Sequence, residues 1–233
     1  MNKYLVSIIS VTYRPGSSFL KTVKSILALK TKQVEFIVID GGSGPEFLSM
    51  MEPYQTEIET FVSENDNGIY DAMNKGWDRA RGKYLLFIND GDELLRLPVS
   101  ELQNSSAQVV LGSVLLSGET LMKPVNSQNI SLRNTWPHQG TFYSRNLPHR
   151  YATEYKVFSD FDLNLKLKNG GIPIEVIRDS RPIAFHETNG ISHQKESLPE
   201  FYSIITKHHG RLAAGCAFLN FKIMGLKARI LPT

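Results

Sequence analysis

Asp90 and Asp92 stand two residues apart in Asn89-Asp90-Gly91-Asp92-Glu93, directly after the apolar run Tyr84 to Ile88. Carboxylates at such a strand end suit Mg²⁺ or Mn²⁺, hard cations that take oxygen ligands and leave coordination positions for substrate phosphates. Tyr84–Ile88 has the composition of a strand buried on both faces. Gly91 permits the tight turn by which the flanking acids leave the sheet together. An Asp-Gly-Asp after a strand is also an ordinary solvated turn, so its weight depends on what the other strand ends bring beside it.

The elements that must position these acids follow an alternating pattern through the first half, that of an α/β fold with a mainly parallel sheet. A strand over Val6–Val11 runs into Thr12-Tyr13-Arg14. Pro15-Gly16-Ser17 breaks it, and Ser17 or Ser18 can cap a helix with Phe19, Leu20, Val23, Ile26 and Leu27 at helical spacing. A second buried strand over Phe36–Ile39 ends at Asp40-Gly41-Gly42, and a weaker third covers Thr60–Ser63. The spacing predicts a helix over Ile69–Ala80, with Ile69, Met73, Trp77 and Ala80 on one face. In open sheets of this kind ligands bind beyond the carboxyl ends of the strands, so Thr12–Arg14, Asp40–Gly42 and Asn89–Glu93 converge on one crevice.

The second half is less regular. Strands are expected over Gln108–Gly112, in a hairpin over Ser113–Lys123 turning at Gly118-Glu119, over Gly140–Tyr143, and over Ile174–Ile177 and Ile183–His186, completing one mixed sheet. A helix over Asp160–Lys168 stops at Gly170-Gly171. With 233 residues, 41% of them hydrophobic, the chain can bury one sizeable core, and it carries no internal repeat or long linker. One cysteine, Cys216, excludes an intrachain disulfide and a multi-cysteine zinc site, which fits a reducing compartment. The apolar run at Tyr4–Val11 is too short for a signal peptide, and no stretch approaches a membrane span.

Neither G-x-G-x-x-G nor G-x-x-x-x-G-K-[ST] occurs, so a nicotinamide oxidoreductase and a P-loop NTPase are disfavoured. The net charge of +3 is unevenly spread: no acid follows Glu200, whereas Lys207, Arg211, Lys222, Lys227 and Arg229 do. Interleaved with Phe218, Leu219, Phe221, Ile223, Met224 and Leu226, these charges suit either a helix in the headgroup layer of an anionic membrane or packing on the body. Nothing in the chain resembles a nucleic-acid-binding motif.

The stretches VSIISVTYRPG, EFIVIDGGS, SENDNGIYDAMNKGWDRARGKYLLFINDGDEL and SDFDLNLKL, in this order, resemble the family 2 glycosyltransferases over most of residues 4 to 190. The likeness is nearest to members that build bacterial exopolysaccharide, capsule or O-antigen units. It implies the A-type glycosyltransferase fold, a single Rossmann-like α/β domain with a mixed, mainly parallel central sheet flanked by helices. It places a catalytic domain over 1–198, with nucleotide-sugar binding in 1–95 and an acceptor half in 96–198, followed by a basic amphipathic tail over 199–233.

The resemblance further implies a nucleotide-diphosphate sugar donor, UDP being the commoner in the family, a Mn²⁺ or Mg²⁺ ion, and transfer with inversion. The acceptor would be a saccharide, lipid-linked, at the cytoplasmic face of the membrane. Thr12, Tyr13 and Arg14 match the loop around the nucleoside and Asp40 the acid that contacts the base. Asp66, Gly68, Asp71, Asn74 and Lys75 match the motif flanking the donor, and Asp90 and Asp92 match the metal-binding acids, Asp92 being the stronger candidate. Asp160 matches the catalytic base, with Asp162 as a helix-start or supporting residue. His138 falls in a region that lines the acceptor side in relatives, where Trp136 could stack on a sugar or belong to the core. His186 closes a strand before a Gly-rich loop that could fold over the diphosphate; either histidine could equally be structural. The chain departs from the family at Asn89, where many members carry another acid, and at Ser159, where a glutamate is usual. The competing expectations are a sugar nucleotidyltransferase and a non-catalytic nucleotide-sugar-binding protein.

Overall fold

The structure, a computed structural model, describes residues 3–126, 134–187 and 197–230, with side chains to residue 219. In chain order the strands are β1 (Val6–Thr12), β2 (Val34–Asp40), β3 (Thr60–Ser63), β4 (Tyr84–Phe87), β5 (Glu93–Leu94), β6 (Val109–Leu111), β7 (Val114–Leu116), β8 (Thr120–Met122), β9 (Thr141–Ser144), β10 (Ile174–Val176) and β11 (Ala184–His186). The helices are α1 (Ser18–Leu29), α2 (Pro45–Met51), α3 (Ile69–Arg79), α4 (Val99–Asn104), α5 (Ser159–Asn169) and α6 (Leu198–Ile230), with short 3₁₀ turns at Glu52–Glu57 and His138–Gly140.

Seven strands form the central sheet in the order β10-β6-β9-β4-β1-β2-β3. Pairing is parallel except along β9, which runs antiparallel to both β4 and β6. Every residue of β1 and β2 is buried, because both faces of the sheet are covered. Ile8, Phe36 and Val38 face a core with Phe19, Val23 and Ile26 of α1; Ile9, Ile37 and Ile39 face the other, with Met73 and Trp77 of α3 and Phe161 of α5. Period-2 alternation along each strand thus feeds two cores and yields three layers.

Several expectations change. Ile183–His186 does not extend the central sheet: β11 joins a separate four-stranded sheet, β5-β11-β7-β8, because Ala184 pairs with Leu94 on one side and Val114 on the other. The hairpin at Gly118-Glu119 forms as expected, pairing β7 with β8. On α3, Ile69 is exposed, and the buried face comprises Tyr70, Met73, Gly76 and Trp77. Neither Ser17 nor Ser18 caps α1 through its side chain; Ser17 is already in the helical region, and Ser18 Oγ donates to Asp90 Oδ1 at 2.7 Å.

The expected boundary at 198/199 does not separate an appendage from a body. Ile204 and Ile205 of α6 are wholly buried in the core that holds Phe161, and Phe201 stacks on Phe161 with ring centroids 5.0 Å apart. At Gly210 the backbone leaves helical geometry (φ 82°), and α6 doubles back. Tyr202 and Phe218 have ring centroids 5.7 Å apart, whereas sixteen residues of unbroken helix would separate them by about 24 Å.

Candidate active site

The acid turn is held by three elements. After Ile88, the Asp92 N–H donates to the Asn89 carbonyl at 2.9 Å, and Gly91 supplies the positive φ of 89° that the tight reversal needs. From below, α1 contributes a polar stripe: Thr22 Oγ1 donates to the Asp92 carbonyl at 2.7 Å, Ser25 Oγ accepts from Leu94 N at 2.9 Å, and Ser18 holds Asp90. From the side, Asn89 Oδ1 accepts from Val11 N at 3.3 Å, tying the turn to the end of β1.

The second sheet then brings His186 to the acids. The β5–β11 register pairs Glu93 with Phe185, so the residues just beyond that pair, Asp92 and His186, come together with Oδ1 and Nδ1 2.7 Å apart. Burial lowers the imidazole's affinity for a proton, but the hydrogen bond and charge of Asp92 outweigh it and push the His186 pKa up. In the central sheet, continuing the antiparallel β4–β9 register sets Gln139 across from Asn89. Gln139 Nε2 donates to Asp92 Oδ2 at 3.1 Å and lies 2.8 Å from His186 Nδ1.

A chain of polar contacts leads from this cluster to the start of α5. Asn89 Nδ2 lies 3.4 Å from His138 Nε2, and His138 Nδ1 lies 3.7 Å from Asp160 Oδ2. That oxygen also accepts from Asn134 Nδ2 at 2.8 Å, while Oδ1 accepts from Phe161 N at 2.8 Å. Asn164, one turn after Asp160, bonds Tyr143, Trp136 and Asn134 and so anchors this face of α5 to the sheet. Burial first, with the Asp160 charge adding, pushes the Tyr70 and Tyr143 phenols up, so both stay protonated donors beside it.

A second group of candidates is built from the ends of β1 and β2. Gly41 N donates to the Thr12 carbonyl at 2.9 Å, and a Cβ at Gly41 would stand 2.4 Å from Asp66 Oδ2 and 3.2 Å from the Tyr13 ring. Tyr13, Gly41 and Asp66 therefore share one corner, and a side chain at 41 would push the Asp66 carboxylate aside. Asp40 is 0% exposed, and its oxygens accept from Ser43 N, at 3.0 and 3.2 Å, from Ser43 Oγ, and from Ser63 Oγ at 2.6 Å. Ser43 Oγ in turn accepts from Arg14 N at 2.7 Å, so Asp40 sets the loop that carries Arg14. A groove of about 490 Å³ beside this loop is lined by Arg14, Pro15, Ser43, Glu46, Phe47 and Met50.

Not every sequence candidate points into the crevice. Trp136 is 0% exposed and its indole donates to the Val125 carbonyl at 2.9 Å, so it presents no face to a sugar. Asn74 clamps the backbone of Tyr151 with both ends of its amide. Lys75 donates to the Asn65 carbonyl at 2.8 Å and pairs with Glu64 and Asp71 at 3.2 and 3.6 Å. Asp71 accepts from Asn67 N at 2.9 Å, just ahead of the N-cap of α3 at Gly68. Asp90 is exposed and turned toward Ser18. Sequence reasoning missed Gln139, Asn134 and Thr22; the i, i+4, i+7 spacing of Ser18, Thr22 and Ser25 was the available signal for the last.

Among the described residues no three His, Cys, Asp or Glu side chains converge as a complete metal cage. Asp92 and His186 do converge, joined through Oδ1 and Nδ1 by a hydrogen bond. A divalent ion here would have Asp92 and, with that proton displaced, His186 as protein ligands and would need oxygens of the diphosphate besides.

The family model "Glycosyl transferase family 2" matches residues 7–159, ending one residue before Asp160. An uncharacterized glycosyltransferase of Mycobacterium tuberculosis is 25% identical over 215 residues, covering 84% of this chain and 80% of that protein. A "PGL/p-HBAD biosynthesis glycosyltransferase" of Mycobacterium bovis is 27% identical over 178 residues, covering 70% and 69%. The crystal structure of S. aureus TarS 1-349 in complex with UDP-GlcNAc superposes with a TM-score of 0.68 at 19% identity, covering 86% of this chain and 64% of that one. The likeness establishes the A-type glycosyltransferase fold, and the chain spans somewhat under two thirds of that neighbour's length. Order of motifs, fold and family match agree: the chain is a glycosyltransferase and belongs to glycosyltransferase family 2.

Proposed function

We propose that the protein is an inverting glycosyltransferase that takes a sugar from a UDP-linked donor, with Asp92 and His186 holding Mn²⁺ or Mg²⁺ and Asp160 acting as base. The observation that carries this is the series of polar groups from His186 and Gln139 to Asp92, from Asp92 Oδ2 to the Asn89 N–H at 3.3 Å, from Asn89 to His138, and across 3.7 Å from His138 Nδ1 to Asp160 Oδ2. It sets a cation-binding acid and a basic carboxylate on two sides of one crevice. A bound divalent ion would neutralise charge on the departing diphosphate.

The chain's own residues supply the rest. Tyr13, Arg14 and Asp66 border the space for the nucleoside, with Thr12 and Asp40 fixing their loop; Asp71 and Lys75 support that wall from α3 by bonding Asn67 and Asn65, while Asn74 ties α3 to Tyr151. Asp160 Oδ2 takes the proton of an acceptor hydroxyl as its oxygen bonds to the anomeric carbon. The bond from that carbon to the diphosphate oxygen breaks with its electron pair, and attack opposite the leaving group inverts the centre. Asn134 holds Oδ2 for this step, with His138 Nδ1 3.7 Å away.

The neighbour solved with UDP-GlcNAc favours UDP in the donor. A lipid-linked acceptor at an anionic cytoplasmic membrane face is favoured by a relative, 31% identical over 121 residues, named as a GalNAc(5)-diNAcBac-PP-undecaprenol beta-1,3-glucosyltransferase of Campylobacter jejuni. That match covers 49% of this chain and 39% of the relative. Among the described residues no helix is long and apolar enough to cross a membrane, so contact would be made from the surface.

Thermal unfolding with nucleotide and metal tests the donor assignment, since a ligand of the folded state raises stability by about 2.7 kcal/mol at a hundredfold excess over its Kd. UDP with Mn²⁺ should raise the Tm and UDP with a chelator should raise it much less. Equal shifts would remove the cation, and no shift with any UDP compound would remove the donor. NMR of the product should show inversion at the transferred sugar.

A further inference from the structure

We infer that Glu200, in the first turn of α6, is a positioning residue for the base, so that the C-terminal helical hairpin sets the geometry of catalysis; this rests on the assignment of Asp160 above. Its carboxylate accepts from three successive main-chain N–H groups: Lys156 N to Oε2 at 2.8 Å, and Val157 N and Phe158 N to Oε1 at 2.9 and 2.6 Å. Converging backbone donors of this kind form an anion-binding nest, and the ionised acceptor makes each bond stronger than a neutral one. The other side of the same segment is pinned by the Tyr70 hydroxyl, which donates to the Val157 carbonyl at 2.5 Å.

The clamped segment leads directly into the base. Phe158 is the residue before α5, its carbonyl accepts the Asp162 N–H at 3.1 Å, and Asp160 lies two residues further on. No side chain caps α5 from Phe158; Asp160 Oδ1 instead accepts from Phe161 N within the first turn. One carboxylate oxygen is therefore committed to the helix start, and the direction of the other, toward Asn134 and His138, follows the path on which the chain enters α5. Glu200 fixes that path from outside. Rings reinforce it, because Phe201 packs on both Phe158 and Phe161, with centroids 5.4 and 5.0 Å away. Farther along α6, His208 Nε2 lies 2.8 Å from Asp162 Oδ1 and locks the next turn of α5.

Glu200→Gln keeps the shape and one acceptor oxygen but removes the charge and the second acceptor. The full chain is compared with Asp160→Asn for UDP release from UDP-glucose and UDP-N-acetylglucosamine, with membrane lipid extract as acceptor. Affinity for UDP with Mn²⁺ and amide exchange at Lys156–Phe158 are measured alongside. Glu200→Gln should bind UDP within twofold of wild type, exchange faster at those three amides, and lose kcat by roughly 10- to 100-fold, the scale of a catalytic group displaced by about 1 Å. Should that variant not fold, Glu200→Asp, which keeps the charge on a shorter stem, is measured the same way with the same direction expected. Unchanged kcat together with an inactive Asp160→Asn would overturn the role of Glu200 alone. Turnover by Asp160→Asn would instead overturn the base and this inference with it.

Discussion

Asp162 is wholly buried two residues after Asp160, and what keeps it ionised is local. Burial pushes its pKa up, but hydrogen bonds from His208 and Lys166, with the charges of Lys166 and Lys207, bring it down to about 2. A folded-state value below the ordinary 3.8 gives stability that is complete above the unfolded value and is lost as pH falls through the folded one. Asp162→Asn should therefore lose about 2 kcal/mol at neutral pH in urea unfolding, with the difference from wild type shrinking between pH 4 and 2. A constant difference across that window would mean that the ion pairs add nothing. At Asp92 the expected loss is functional: Asp92→Ala should weaken UDP and Mn²⁺ binding together by titration calorimetry, whereas His186→Ala should weaken Mn²⁺ more than UDP. Unaltered Mn²⁺ affinity in both variants would place the ion elsewhere.

Helix α1 does more than cover the sheet, since Ser18, Thr22 and Ser25 grip the acid turn at its side chain, carbonyl and following N–H. Thr22→Val keeps the shape but removes the donor to the Asp92 carbonyl, a cost of about 1–3 kcal/mol in chemical denaturation. UDP affinity should fall with it, and a neutral outcome would show that the turn holds itself. Such grips explain what the sequence could and could not reveal. β1, β2 and β4 were legible as continuous apolar runs and α1 and α3 by apolar residues at helical spacing, whereas α5 was marked by its stop at Gly170-Gly171. α2 and α4 were not, being 7 and 6 residues long, too short for a period to declare itself. β5 has two residues and exists only through pairing with β11, so the partnership of Asp92 with His186 lay beyond any local pattern. Asp92 and Asp160 were nameable from motifs, whereas Gln139 and Asn134 depend on strand register and on the face of α5. Trp136 misled because an aromatic beside a histidine looks like a sugar platform until its indole is seen bonded inside the core.

Across the whole molecule, two sheets and a doubled-back C-terminal helix converge on one crevice, each supplying a part the others lack. The central sheet delivers the acid turn and the loop of Thr12–Arg14, the second sheet delivers His186, and the first arm of α6 buttresses α5. The second arm carries Leu212 and Leu219 at 89% and 59% exposure, on a segment whose charges are all basic. Leu212→Glu with Leu219→Glu should weaken cosedimentation with phosphatidylglycerol vesicles at least about tenfold and leave UDP binding unchanged, because burying each leucine is worth about 1.5–3 kcal/mol. Equal sedimentation of the variant would assign this face to something other than lipid. The division of labour between donor site and base is tested most directly by one comparison, that of Asp160→Asn with wild type, in which Mn²⁺-dependent UDP binding and UDP release are measured on the same preparation. The account predicts donor affinity within twofold of wild type and UDP release reduced by at least about 10²-fold; wild-type release from that variant would contradict it.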